Sequence, residues 1–351
     1  MNVRVSVIVP AKDPGSCIRK CLGSLKKQTL ESIEIICVDA GSTDGTAQYL
    51  KEAAAEDPRI IFLSCPGASF GEMLNEGIDK ASGRFAAFIR PGDTAEPEML
   101  QKLYSVSSGM DMVMGGFYLT PAKGENETLY RLPPRYTAIK SFNPLLTFDT
   151  ALDQSEIFSI NCAVGSAIIS REFLAKNSIY FTQIQDSLYH DISFSFKVWA
   201  CASNVRLLDT ASLHCGFRGS TVKNAGKDSI YPVFEEYDEI RYFIREKFEG
   251  DRKRMSVLFG IMMRLQYDSC LSCCRILPPS EARSFARKAA AEFESDVERG
   301  HAAQKYFPSF DWNLFSTWVY DPEKFMDIFE RGRKPSLLSR FRKVFKHSKD
   351  V

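Results

Sequence analysis

Three short apolar runs, each stopping at a residue that ends a strand, constrain this chain most. Val3–Val9 stops at Pro10, Ile33–Val38 at Asp39, and Phe85–Ile89 at Arg90-Pro-Gly-Asp93. Runs this short, continuous rather than alternating, suit strands buried on both faces. Arg59–Leu63 reads as another strand, and the amphipathic patterns Cys17–Gln28, Ser69–Ala81 and Glu96–Val106 read as helices between and after them. After Asp39, the segment through Thr46 is a turn into a helix, with Ser42, Thr43 or Asp44 available as its cap. Strands alternating with helices imply an α/β fold whose sheet is mostly parallel, with right-handed crossovers. Ligands of such sheets bind beyond the carboxyl ends of the strands. Three polar segments fall at those ends: Pro10–Asp13, Asp39–Asp44 and Arg90–Asp93.

Further along, Met112–Leu119 and Ala163–Ile169 have strand character, followed by a helix over Leu188–Ala202 and a short strand over Val205–Leu208. Beyond about residue 225 the pattern turns helical, through Val233–Phe248, Lys253–Ser272 and Glu281–Val297. The expected organisation is an α/β domain over 1–222, a helical extension over 223–330 and a basic tail over 331–351. At 351 residues, 44% hydrophobic and 25% charged, the chain can bury a sizeable core. The aromatics from Phe307 to Tyr320 are read as part of it. The tail holds eight Lys/Arg against one Asp, and Leu337, Leu338, Phe341, Val344 and Phe345 share one helical face. Such a helix suits attachment to anionic lipid, and a solvated terminal helix has the same composition.

Composition also excludes. A formal net charge of +1 makes the chain no general ligand for nucleic acid. No apolar run is long enough to span a bilayer, and no basic region followed by an apolar stretch and a small-residue cleavage site opens the chain. The expected location is therefore cytoplasmic, with the ten cysteines reduced. Cys270-x-x-Cys273-Cys274 is their single cluster, and a zinc site needs a second, so the cysteines are read as small core residues. No glycine-rich phosphate loop follows the first strand. A nucleotide here would be held by carboxylates, backbone groups or a metal.

Five segments, in order, resemble family 2 glycosyltransferases of the GT-A type. They are Ser6-Val-Ile-Val-Pro10, Glu34–Thr46, Met73–Phe85, Phe88-Ile-Arg-Pro-Gly-Asp93 and His190-Asp191-Ile-Ser-Phe194. The resemblance covers roughly residues 3–222. It implies a GT-A sheet flanked by helices, with the helical stretch as a C-terminal extension. It also implies inverting transfer of a sugar from a nucleotide sugar, UDP-linked by expectation, to an acceptor hydroxyl in cell-surface polysaccharide or glycolipid synthesis.

The resemblance assigns roles residue by residue. Asp39 would read the uracil-type base and ribose. Pro10, Asp13 and Ser42 would line the same pocket, and the alternative for Asp13 and Asp39 is plain capping or turn chemistry. Asn75 matches the family's helix Asn, while Arg90, His214 and Arg218 would face the diphosphate. Asp93 stands where the family carries an Asp-x-Asp-Asp-like segment that holds Mg²⁺ or Mn²⁺, and only this last carboxylate survives here. Asp191 would be the general base, taking the acceptor proton opposite the leaving group. The expected partners are a nucleotide-sugar donor, a glycan or lipid-linked acceptor and, through the tail, the inner membrane face. One competing reading is a non-catalytic relative that binds nucleotide sugar or glycan beside another transferase. A nucleotidyltransferase is disfavoured by the missing glycine-rich loop.

Overall fold

The computed structural model describes residues 2–120, 126–147, 150–161, 165–185, 187, 189–216 and 227–332. Arg218 and the tail beyond Gly332 lie outside the described residues, so both expectations stand as sequence readings. The chain divides into two compact units, residues 1–148 with 160–240, and residues 149–159 with 241–351. The division falls within the helix Val233–Lys247, past the expected edge at residue 222.

The first unit is built on a nine-stranded sheet. Its strands are β1 (Val5–Ala11), β2 (Ile33–Asp39), β3 (Ile60–Ser64), β4 (Phe85–Phe88), β5 (Thr94–Ala95), β6 (Met112–Leu119), β7 (Thr128–Tyr130), β8 (Ala167–Ser170) and β9 (Val205–Cys215). Their order is β3-β2-β1-β4-β8-β6-β9-β5, with β7 beside β6. β1 to β4 are mutually parallel, β8 runs against both β4 and β6, and β9 runs parallel to β6. The carboxyl ends of β1, β2, β4, β6 and β9 therefore share one edge of the sheet.

Every residue of β1, β2 and β4 is buried, as their largely apolar sequences require, and the two polar side chains inside them, Ser6 and Glu34, hydrogen-bond to each other at 2.6 Å. Each fully buried Val or Ile there contributes about 1.5–3 kcal/mol of hydrophobic stabilisation. β9 continues seven residues past the expected Leu208, because its later half alternates polar and apolar residues and pairs irregularly with β6 through bulges. The turn after β2 also differs from expectation. Gly45 takes the cap position at φ 88°, and Asp44 supplies the acceptor, its Oδ1 receiving the Thr46 N–H at 3.0 Å. The helix Phe70–Lys80 opens with a reciprocal cap, in which Ser69 Oγ accepts the Glu72 N–H and Glu72 accepts the Ser69 N–H.

The second unit is helical, with Ala151–Phe158, Arg252–Ile276, Pro279–Glu298, Ser309–Tyr320 and Pro322–Gly332. Arg241 is buried here and donates to Asp296 through Nε and Nη2, at 2.9 and 2.6 Å, and to Gln266 at 2.9 Å. Trp318 is buried against Phe293 and Phe325, and its indole N–H donates to Ala286 O at 2.9 Å. The aromatics near the C-terminus are thus core where they are large and inward: Phe315 and Trp318 are buried, while Phe310 and Tyr320 are exposed. Cys21, Cys37, Cys215, Cys270, Cys273 and Cys274 are buried, whereas Cys17 is exposed. Among the described residues, no helix is long and apolar enough to cross a membrane.

Candidate active site

The ends of β1 and β2 are tied together by side chains. Asp13 sits in the left-handed region at φ 47°, a conformation Asp tolerates better than most residues. Its Oδ1 accepts the Thr43 N–H at 2.6 Å, and Ser42 Oγ accepts the Asp13 N–H at 2.9 Å. Asp44 Oδ2 adds an acceptor for the Gly15 N–H at 2.7 Å. The polar residues of these two loops thus spend much of their hydrogen-bonding capacity on each other and build a fixed rim.

Asp39 ends β2 inside that rim and is 1% exposed. Its Oδ2 accepts the N–H groups of Gly41 and Ser42 at 3.0 and 3.1 Å. Its Oδ1 is buried and has no hydrogen-bond partner among the described residues. Leaving a buried carboxylate oxygen unsatisfied costs about 1–3 kcal/mol or more, and persists where a ligand completes it.

On the other side, Arg90 leaves the end of β4 and reaches Asp191. Its Nη2 donates to Asp191 Oδ2 at 2.7 Å and approaches His190 Nε2 at 3.2 Å. The guanidinium carbon lies 5.5 Å from the centroid of the Phe70 ring, which also packs on His190 at 4.0 Å. Arginine can only donate, so His190 Nε2 accepts and its Nδ1–H donates to Ser187 O at 3.0 Å. Burial favours that neutral form by lowering the His190 pKa. Burial alone would raise the Asp191 carboxyl, but the Arg90 charge, helped by the Asn161 amide at 2.9 Å, outweighs it and holds it below the usual carboxylate range. Asp191 takes the cap position of the helix Ile192–Cys201, yet its side chain makes no capping hydrogen bond. Its carboxylate is turned toward the site instead. Pro10, Phe70, Arg90, His190 and Asp191 border a recess of about 220 Å³.

Asp93 is 2% exposed, and its Oδ1 accepts the Gly216 N–H at 3.0 Å. That approach needs a glycine, because a Cβ on residue 216 would stand 2.2 Å from Gly92 O. Burial raises the Asp93 pKa to about 6 against the pull of the Gly216 N–H and Arg90. Among the described residues, no group of three His, Cys, Asp or Glu side chains could hold a metal ion. Asp93 therefore fits a divalent cation as one ligand only, with the remaining ligands coming from phosphate oxygens and water.

The other nominated residues have internal partners. Asn75 is buried and closes both ends of its amide on the backbone of Phe181, donating to its carbonyl at 3.0 Å and accepting its N–H at 2.9 Å. His214 stacks on Tyr118 with ring centroids 4.7 Å apart, and its Nδ1 lies 3.0 Å from Glu127.

Two residues that no local motif announces complete the frame. Asn161 donates to Asp191 and accepts from Ser195 Oγ at 2.8 Å. Glu236, fully buried, accepts the Ser193 N–H at 2.9 Å through Oε2 and the Thr182 hydroxyl through Oε1. It clips the segment before Asp191 to the helix turn after it. Gly71 lets that segment come close, since a Cβ there would meet Thr182 O at 1.8 Å. Phe181 stacks on Phe194 with centroids 3.8 Å apart, and Phe88 meets both rings edge-on.

Known proteins resemble this chain in sequence and in fold. The family model for glycosyl transferase family 2 matches residues 6–176. Glycosyltransferase GlyA of Streptococcus pneumoniae is 32% identical over 117 residues, covering 33% of this chain and 17% of the relative. The uncharacterized glycosyltransferase EpsJ of Bacillus subtilis is 31% identical over 210 residues, 58% of each chain. The matches thus span between 17% and 58% of these relatives' lengths. The crystal structure of S. aureus TarS 1-349 in complex with UDP shares the fold, with a TM-score of 0.67, 18% identity and coverage of 93% of this chain and 89% of that one. With a GT-A sheet and this family match, residues 6–176 of the chain form a glycosyl transferase family 2 domain.

Proposed function

We propose that the chain is an inverting glycosyltransferase that moves a sugar from a UDP-sugar to the hydroxyl of a glycan or lipid-linked acceptor. The observation that carries this reading is the buried Oδ1 of Asp39 at the carboxyl end of β2, without a hydrogen-bond partner among the described residues. A uracil N–H would satisfy it, and Asp13, Ser42 and Pro10 would frame the nucleoside. TarS, crystallised with UDP and with UDP-GlcNAc on the same fold, supports the choice of nucleotide.

Transfer then needs a proton acceptor and a charge sink. Asp191, kept ionised, takes the proton of the acceptor hydroxyl as its oxygen bonds to the anomeric carbon. The bond to the β-phosphate breaks on the opposite face, and the electron pair leaves on UDP. Arg90 supplies positive charge to that diphosphate. A divalent cation bound at Asp93 would add Lewis-acid stabilisation of the same charge. Asn75 is assigned a supporting role, holding Phe181 in place. The basic, apolar tail supports work at an anionic membrane surface, which vesicle co-sedimentation of chains with and without residues 331–351 would test.

Calorimetric titration with UDP tests the nucleotide assignment. Wild type should bind UDP, and Asp39→Ala should weaken binding about tenfold or more, the worth of a hydrogen bond to a charged group. Equal affinity in the two proteins would remove Asp39 from the site.

A further inference from the structure

We propose that Arg90 is a donor-released latch on Asp191: without a nucleotide its guanidinium is docked on the carboxylate, and the incoming diphosphate draws it away and frees the base. The inference rests on the reading of Asp191 as base and of Arg90 as facing the diphosphate. The resemblance assigns carboxylates to this segment, so a cation three residues before Asp93 calls for its own account.

The geometry makes Arg90 a shared resource. Its two side-chain hydrogen bonds among the described residues, to Asp191 and His190, both use Nη2. Nε and Nη1 make no hydrogen bond among the described residues, which leaves one whole edge of the planar fork for a second anion. Asp191 and Arg90 are 11% and 20% exposed in their side chains, so their attraction is only partly screened. Among the described residues that line the recess, Arg90 is the one Lys or Arg. A guanidinium matches phosphate oxygens bidentately, and a diphosphate carries more negative charge than a carboxylate. The Phe70 ring under the guanidinium gives it an apolar bed that does not depend on either anion. Asp191 retains the Asn161 amide when Arg90 departs, so the base stays oriented while it loses the cation that weakens its basicity.

The coupling is reciprocal by thermodynamic necessity: if the diphosphate pulls Arg90 off Asp191, then Asp191 opposes diphosphate binding. Four full-length proteins decide the matter: wild type, Asp191→Asn, Arg90→Gln and the double variant, each titrated calorimetrically with UDP at one fixed salt concentration. Removing the carboxylate charge should tighten UDP about fivefold or more where Arg90 is present, Arg90→Gln should weaken it about tenfold, and the gain from Asp191→Asn should vanish in the Arg90→Gln background. The same tightening in both backgrounds would mean simple charge repulsion and overturn the latch. No tightening in Asp191→Asn would overturn it too. UDP affinity unaffected by Arg90→Gln would overturn the reading of Arg90 as a diphosphate ligand, and normal turnover in Asp191→Asn would overturn the base. Should Asp191→Asn melt early, Asp191→Ser keeps an acceptor for Asn161 and carries the same comparison.

Discussion

Asn75 and Phe181, 106 residues apart, close a two-bond ring in which the side-chain amide pairs with both polar groups of one backbone residue. The pair is buried, so no solvent replaces a lost partner. Asn75→Ala should destabilise the protein by about 2–3 kcal/mol, since it strands a buried N–H and a buried carbonyl. Urea unfolding measures this. A loss of UDP affinity with unchanged stability would instead make Asn75 a donor ligand.

Glu236 makes stability depend on pH. Burial raises its pKa from 4.5 to about 7 against the hydrogen bonds from Ser193 and Thr182. A raised carboxyl stabilises the fold fully below its unfolded pKa, and that contribution is lost as pH climbs through the folded value. Wild type should therefore weaken between about pH 5 and 8, on the order of 2–3 kcal/mol from this group. Glu236→Gln is neutral, can accept from Ser193 and donate to Thr182, and should flatten that part of the profile. Parallel profiles for the two proteins would contradict the assignment.

Asp93 gives a metal prediction. As a single ligand it can recruit a divalent cation only together with phosphate, so Mn²⁺ should strengthen UDP binding while binding poorly by itself. Asp93→Ala should abolish that enhancement. Calorimetry with and without Mn²⁺ checks both, and an unchanged enhancement in the variant would place the cation elsewhere.

What the sequence shows and what it hides have a common physical basis. β1, β2 and β4 are legible because both faces of each are buried, so their residues are mostly apolar and the runs stop within a residue or two of the strand ends, the buried Ser6 and Glu34 pairing with each other. Asp39 and Arg90–Asp93 are conspicuous for the same reason, as polar residues directly after an apolar run. The later strands carry weaker signals. β5 has two residues, and the second half of β9 is partly exposed, so neither produces a long pattern.

The contacts that shape the site are hidden for a different reason. Arg90 and Asp191 are 101 residues apart, and Glu236 reaches Thr182 across 54. Neither leaves a periodicity or a local motif. A charged residue with no local partner, such as Arg90 in Arg-Pro-Gly-Asp, was the available hint, and it pointed to a function without naming Asp191. Asn161 and Glu236 lacked even that, since an isolated Asn or Glu is ordinary on any surface.

Turnover tests the central claim most directly. Full-length wild type should release UDP from at least one UDP-sugar, with transfer to an acceptor hydroxyl and inversion at the anomeric carbon. Asp191→Asn should lower that rate by roughly 10²–10⁴-fold while still binding UDP, the loss typical of a general base. A wild-type protein that releases no nucleotide from any sugar donor, or an Asp191→Asn variant within a few-fold of wild type, would contradict the account.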